Sequence, residues 1–143
     1  MKKIIALVLA LTLALALAAC GSEPAETTAP AASDIPGVED GVLTVGMECA
    51  YAPYNWPQMD DSNGAVPIAN NPGSYANGYD VMIAKKICEQ FGWKLEVMAL
   101  EGGGLSPALA AGTIDVASAG QAMTAERMAE VDMAGPYYYA TIV

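Results

Sequence analysis

Two hydrophobic periods alternate along the chain from about residue 41, and the points where they switch mark the expected elements. Gly41-Val42-Leu43-Thr44-Val45-Gly46-Met47 is apolar and β-branched and predicts a buried strand. Val81, Ala84, Ile87, Cys88 and Phe91 recur at helical spacing, with Asp80 placed to cap the helix and Gly92 to end it. Lys85 and Lys86 fall on the wet face of that helix. Lys94 to Leu100 alternates, with Leu95 and Val97 on one side, and predicts a second strand. Ser106-Pro107 opens a short helix over 108–111 that Gly112 stops. Ile114 to Ser118 predicts a third strand. Thr124 caps a further helix that carries Arg127, and Val131 to Ala134 returns toward the sheet. After the Gly135-Pro136 break, 137–143 is a β-prone tail rich in aromatics. Residues 57–78 are polar and rich in Asn, Gly, Pro and Asp, which predicts a long loop. A loop of about twenty residues in a compact domain points to function or mobility. Strands alternating with helices argue an α/β domain with a mostly parallel sheet and flanking helices.

The first thirty-six residues follow different rules. Lys2 and Lys3 precede an apolar run, Ile4 to Ala19, broken only by Thr12. That run is short for a membrane span, which needs about 20 residues, and it ends in small residues as a signal peptide does. Residues 1–19 are therefore expected to be a signal peptide. The junction Leu17-Ala18-Ala19-Cys20-Gly21 resembles the lipobox of bacterial lipoproteins, which implies lipidation of Cys20. Residues 20–36 are rich in Pro, Ala, Ser, Thr and Glu without apolar periodicity, and are expected to form a flexible tether. The folded domain is expected over 37–143. This layout belongs to an exported protein, periplasmic or lipid-anchored to the outer face of the cytoplasmic membrane.

Charge narrows the chemistry. Without Lys2 and Lys3, four basic residues face sixteen acidic ones, a net charge of −12, which argues against nucleic acid as a partner. There is no histidine, and Cys49 and Cys88 alone make a zinc site improbable, so neither cofactor nor metal is expected. Both cysteines read as structural or incidental. Gly102-Gly103-Gly104 lacks the Gly-Lys-Ser/Thr of a phosphate-binding loop and the spacing of a dinucleotide loop.

Arg127 is the only arginine in the chain. A guanidinium is a rigid fork of donors that matches a carboxylate, and the first turn of a helix adds N–H groups to the same pull. A solvated helix surface is the plainer reading of such a residue. The carboxyl ends of the three strands, where α/β sheets bind ligands, carry Glu48 and Tyr51, then Gly102 to Gly104, then Gly120 to Arg127. Three loops meeting on one rim favour a binding role for Arg127.

The same residues carry a resemblance. Leu43 to Tyr54, Gly78 to Ile87, Leu109 to Asp115, and Met123 to Tyr138 resemble four successive blocks of the family 3 solute-binding proteins, the polar amino acid receptors of ABC importers. The resemblance implies a periplasmic-binding-protein-like (type II) lobe, incomplete here, in a two-lobed clamp that closes on an amino acid. It implies that Arg127 binds the ligand's α-carboxylate and that backbone groups around Gly120, Ala122 and Thr124 complete the cradle. Glu48 and Tyr51 would line the pocket, and Tyr54 and Trp56 would be pocket walls or core. It also implies delivery to ABC permease subunits, with the N-terminal lipid holding the protein to the membrane. The chain departs from the family pattern at Ala122, where relatives place Ser or Thr, at Gly102, near which many place an aromatic, and at Met82, which replaces an acid. Its 58–77 segment is also longer than in most relatives. The chain is expected to stop at the crossover to the second lobe.

Three other readings stay open. An enzyme on the same fold, dehydratase-like or transglycosylase-like, would use Glu48 or Glu101 as general acid, though no histidine or clearly spaced acid pair supports it. The sensing domain of a receptor and a degenerate truncated lipoprotein without ligand are the others.

Overall fold

A computed structural model of the chain describes residues 35–139. The expected signal peptide, Cys20 and nearly all of the tether lie outside the described residues, as do the last four positions. Ile35 packs against the core and its carbonyl accepts from Val38 N at 3.1 Å. The folded part therefore includes the last two residues assigned to the tether.

The main sheet has three parallel strands, β1 (Val42–Met47), β5 (Lys94–Ala99) and β6 (Val116–Ala117), in the order β5-β1-β6. β1 runs in register with β5 from Val42↔Lys94 to Met47↔Ala99, and with β6 at Val45↔Val116 and Gly46↔Ala117. Its two-residue period sorts side chains onto two faces. Leu43, Val45 and Met47 join Val97 and the helix α1 (Tyr79–Phe91) in one core cluster. Gly46 turns to the other face, under Ile114 and Leu105. There Leu105, Ile114 and Ala119 form a second cluster with Met98 and Leu100 from the β5 end and Ala108 and Leu109 of the helix α2 (Leu105–Ala110). The central strand is thus covered on both sides, as its unbroken apolar character requires.

Several elements differ from the sequence expectation. The 57–78 segment is not one loop. It holds β2 (Trp56–Gln58), β3 (Val66–Pro67) and β4 (Tyr75–Asn77), a small antiparallel sheet in the order β2-β4-β3. Ala65, Ile68 and Ala76 are buried and tie this sheet to the core. Its apolar residues are too few and too scattered among turn residues to show a strand period. Gly78 caps α1 rather than Asp80, which lies inside the first turn, fully buried. Gly92 does end α1, in the left-handed conformation at φ 73°. Cys88 is buried on the inner face as expected, whereas Ile87 is exposed. Gly102–Gly104 forms a 3-10 turn that runs directly into α2, so α2 starts at Leu105, one residue before Ser106-Pro107. Only two residues of the expected third strand pair with β1. Residues 131–139 form no strand, because Tyr137 and Tyr138 fold back on Tyr79 and Tyr54 instead of joining the sheet. Cys49 and Cys88 are both free and buried. Among the described residues no helix is long and apolar enough to cross a membrane.

Candidate functional site

The strand order decides where a ligand can go. From β1 the chain crosses through α1 to β5 on one side, then through α2 on the opposite face to β6 on the other side. The loops leaving β1 and β6 therefore diverge, and a crevice opens at the carboxyl end of the sheet between them. A cavity of about 330 Å³ lies there, lined by Glu48 and Tyr51 after β1, Gly102 after β5, and Ala119, Gly120, Gln121, Ala122 and Arg127 after β6. Its size falls in the range of small-molecule sites.

Each wall has a local cause. After Met47 the chain passes through Cys49 at φ 51°, a conformation that non-glycine residues rarely adopt. This sharp bend puts the Cys49 thiol into the core and leaves Glu48 on the cleft. Burial pushes the thiol up to about 11. A tight turn follows, in which Tyr51 N donates to Asn55 O at 2.6 Å and Asn55 N donates to Tyr51 O at 2.8 Å. The turn sets the Tyr51 ring beside Tyr54, centroids 5.0 Å apart, and both rings lie over Gly120. Gly120 adopts φ 59°, and a Cβ there would meet Tyr51 Cε1 at 2.9 Å. Gly102 makes similar room for Glu48, whose Oε1 occupies the space a side chain at 102 would need.

Arg127 lies in α3 (Ala125–Met128), a single turn. Thr124 caps it as expected, its hydroxyl accepting from Arg127 N at 3.2 Å. The guanidinium folds back along its own loop, and Nη1 donates to Ala122 O at 2.9 Å. That bond uses one of five N–H donors and holds the side chain, partly buried, against the cleft.

The structure brings five of the six sequence-predicted binding residues, Glu48, Tyr51, Gly120, Ala122 and Arg127, to one cavity. Thr124 does not line it. Thr124 sits at the exposed end of α3 and serves the helix rather than the cavity wall. Glu101 is exposed and lies outside the lining, so of the two candidate acids only Glu48 reaches the cleft. Trp56 pairs with Asn77 in β2 and is also outside it. Sequence reasoning missed Gln121, whose only signal was its place between Gly120 and Ala122. Among the described residues no group of three or more His, Cys, Asp or Glu side chains could hold a metal ion.

An open α/β lobe with a charged cleft at the carboxyl end of its sheet defines a small-molecule-binding domain. Residues 43–143 match the bacterial extracellular solute-binding proteins, family 3, and the chain belongs to that family. It is 28% identical over 142 residues to the arginine-binding extracellular protein ArtP of Bacillus subtilis, covering 98% of this chain and 46% of ArtP. It is 33% identical over 143 residues to a probable histidine-binding protein of Neisseria gonorrhoeae, covering 100% of this chain and 46% of that protein. The chain thus spans about half the length of the curated relatives it matches. The arginine-bound domain 1 of TmArgBP from T. maritima superposes with a TM-score of 0.56 at 31% identity, over 69% of this chain and 68% of that one. An ancestral cyclohexadienyl dehydratase has the same fold, with a TM-score of 0.57 at 27% identity over 70% of this chain and 36% of that one. The fold is the type II periplasmic-binding-protein fold, of which this chain holds part. The family is extracellular, and these curated relatives are binding proteins rather than enzymes.

Proposed function

We propose that the chain binds an amino acid with a cationic side chain, through its α-carboxylate at Arg127, and serves as the substrate-binding component of an ABC importer. The carrying observation is the pairing of Arg127 and Glu48 in one cleft of about 330 Å³. An amino acid presents a carboxylate for the first and, if its side chain is basic, a cation for the second. Four guanidinium donors remain after the bond to Ala122 O, enough for a two-bond grip on a carboxylate. Glu48 answers a guanidinium or ammonium, and Tyr51 covers the aliphatic stem between them. Relatives named for arginine and histidine support the same ligand class.

The wider role rests on family membership and on residues 1–36. In this reading Cys20 carries the lipid, the tether spans from the membrane, and permease subunits receive the ligand.

Calorimetry on this chain with arginine, histidine, glutamine and glutamate tests the ligand class. Arginine is expected to bind best and glutamate not at all. Arg127→Ala should weaken arginine binding by about 10–150-fold, the equivalent of one hydrogen-bonded charge at roughly 1.5–3 kcal/mol. Unchanged affinity in that variant refutes the carboxylate assignment, and a preference for glutamate refutes the role of Glu48. The enzyme reading keeps Glu48 as general acid, but among the described residues no second acid lines the cleft beside it, and the sequence has no histidine. Turnover of a prephenate-like substrate would reinstate it.

A further inference from the structure

Behind the cleft wall lies a buried polar post formed from four separate segments. Asp80, fully buried in the first turn of α1, accepts from Asn55 Nδ2 at 2.7 Å through Oδ2 and from the Tyr137 hydroxyl at 2.6 Å through Oδ1. The Tyr137 hydroxyl also lies 3.2 Å from Ser118 Oγ at the exit of β6. The Tyr137 backbone is held in turn, since its carbonyl accepts from the Tyr79 hydroxyl at 3.2 Å. One phenol oxygen therefore joins the helix start, the β6 exit and the chain at 137.

Both outer ends of this post lead to the cleft. Asn55 is bonded in both directions to the backbone of Tyr51. Ser118 stands two residues before Gly120, on which the Tyr51 ring rests. The gap between the Tyr51 turn and the Gly120 loop is thus spanned twice, by ring contact at the surface and by Asn55–Asp80–Tyr137–Ser118 below it. Neither Asp80 nor Tyr137 lines the cavity, and the Tyr137 hydroxyl reaches its wall through the backbone of Gly120.

We propose that Asp80 and Tyr137 are positioning residues for the cleft, their hydrogen bond fixing the spacing of the Tyr51 turn and the Gly120–Ala122 loop for ligand. This rests on the amino-acid-binding reading. The alternative role is a structural anchor for residues 137–139 alone. Burial and the bond to Asp80 push the Tyr137 hydroxyl up to about 12, so it remains a proton donor to the carboxylate at physiological pH.

The test uses this chain with three substitutions. Tyr137→Phe removes the bridging oxygen and keeps the ring that packs on Tyr79 at a centroid distance of 5.9 Å. Asp80→Asn keeps the Oδ1 acceptor for Tyr137. The Asn55 amide can flip to offer the new amide its own Oδ1, which is buried without a partner. Ser118→Ala cuts the β6 end of the post. Arginine affinity and the amide NMR shifts of Gln121 and Ala122 in ligand-free protein are measured for each, since the Gly120 backbone meets the Tyr137 hydroxyl directly.

Tyr137→Phe and Ser118→Ala are expected to weaken arginine binding about tenfold and to move both amide signals, while Asp80→Asn stays within about threefold of the parent. A structural anchor predicts a lower melting temperature for Tyr137→Phe with wild-type affinity and unmoved Gln121 and Ala122 signals. That result overturns the proposal. If the parent chain binds no amino acid, the ligand-binding reading fails, and the amide shifts of ligand-free protein still decide whether the post sets the loop.

Discussion

Gly120→Ala should damage the fold and the cleft together, and the size of the effect can be worked from the structure. Gly120 adopts φ 59°, where a Cβ costs about 1–2 kcal/mol. Alanine recovers about 0.4–1 kcal/mol by restricting the unfolded chain. The added methyl would also sit 2.9 Å and 3.2 Å from the Tyr51 ring and 3.3 Å from Tyr54 Cγ. Tyr51 is 46% exposed, so it can swing outward. Doing so gives up its contact with Tyr54, worth about 0.5–1.5 kcal/mol. The net loss is about 0.5–3 kcal/mol, which for a domain of this size lowers the melting temperature by roughly 2–25 °C. Gly103→Ala is the matched control. Gly103 has an ordinary φ and nothing within 4 Å of its would-be Cβ. Its melting temperature should stay within a few degrees of the parent, or rise slightly. Thermal unfolding followed by circular dichroism reads the stability and calorimetry with arginine reads the cleft. Equal melting temperatures for the two variants would refute the reasoning.

Gly102→Ala pushes into Glu48 Oε1, the movable end of a long side chain. It should leave stability within about 0.5 kcal/mol yet weaken arginine binding several-fold, and calorimetry showing parental affinity would contradict it. Gly46→Ala instead meets packed core, 2.5 Å from Ile114 Cδ1 and 3.0 Å from Leu105 Cδ2. Overpacking of this kind costs about 1–3 kcal/mol, visible as a lower urea midpoint. Alkaline pH should destabilise the fold in a defined window. Cys49 rises from 9.0 to about 11 on folding, so its contribution is complete below pH 9 and is lost as pH climbs through about 11. Tyr137 rises from 10.0 to about 12 and adds the same slope one unit higher. Urea midpoints for Cys49→Ala should fall less than the parent's between pH 9 and 11, and parallel curves would exclude the thiol.

The sequence by itself determined the strands β1 and β5, the long helix α1 and the Thr124 cap. Each is written in a local signal: the apolar run at 41–47, the helical spacing from Val81 to Cys88, and a hydroxyl at a helix start. It also named most of the cleft, because ligand loops follow strand ends in α/β sheets and the strand ends were legible. Tertiary structure decided the rest. The small sheet within 57–78 is held by Ala65, Ile68 and Ala76 finding a core contributed by β1, β5 and α1, which no local period announces. The tyrosine tail carries the β-propensity of a strand. It folds over α1 instead, because a buried Asp80 carboxylate needs donors and Tyr137 supplies one at 2.6 Å. Asp80 had a cap's residue type and a cap's neighbourhood. Only the packing of four distant segments made it the acceptor at the centre of the lobe.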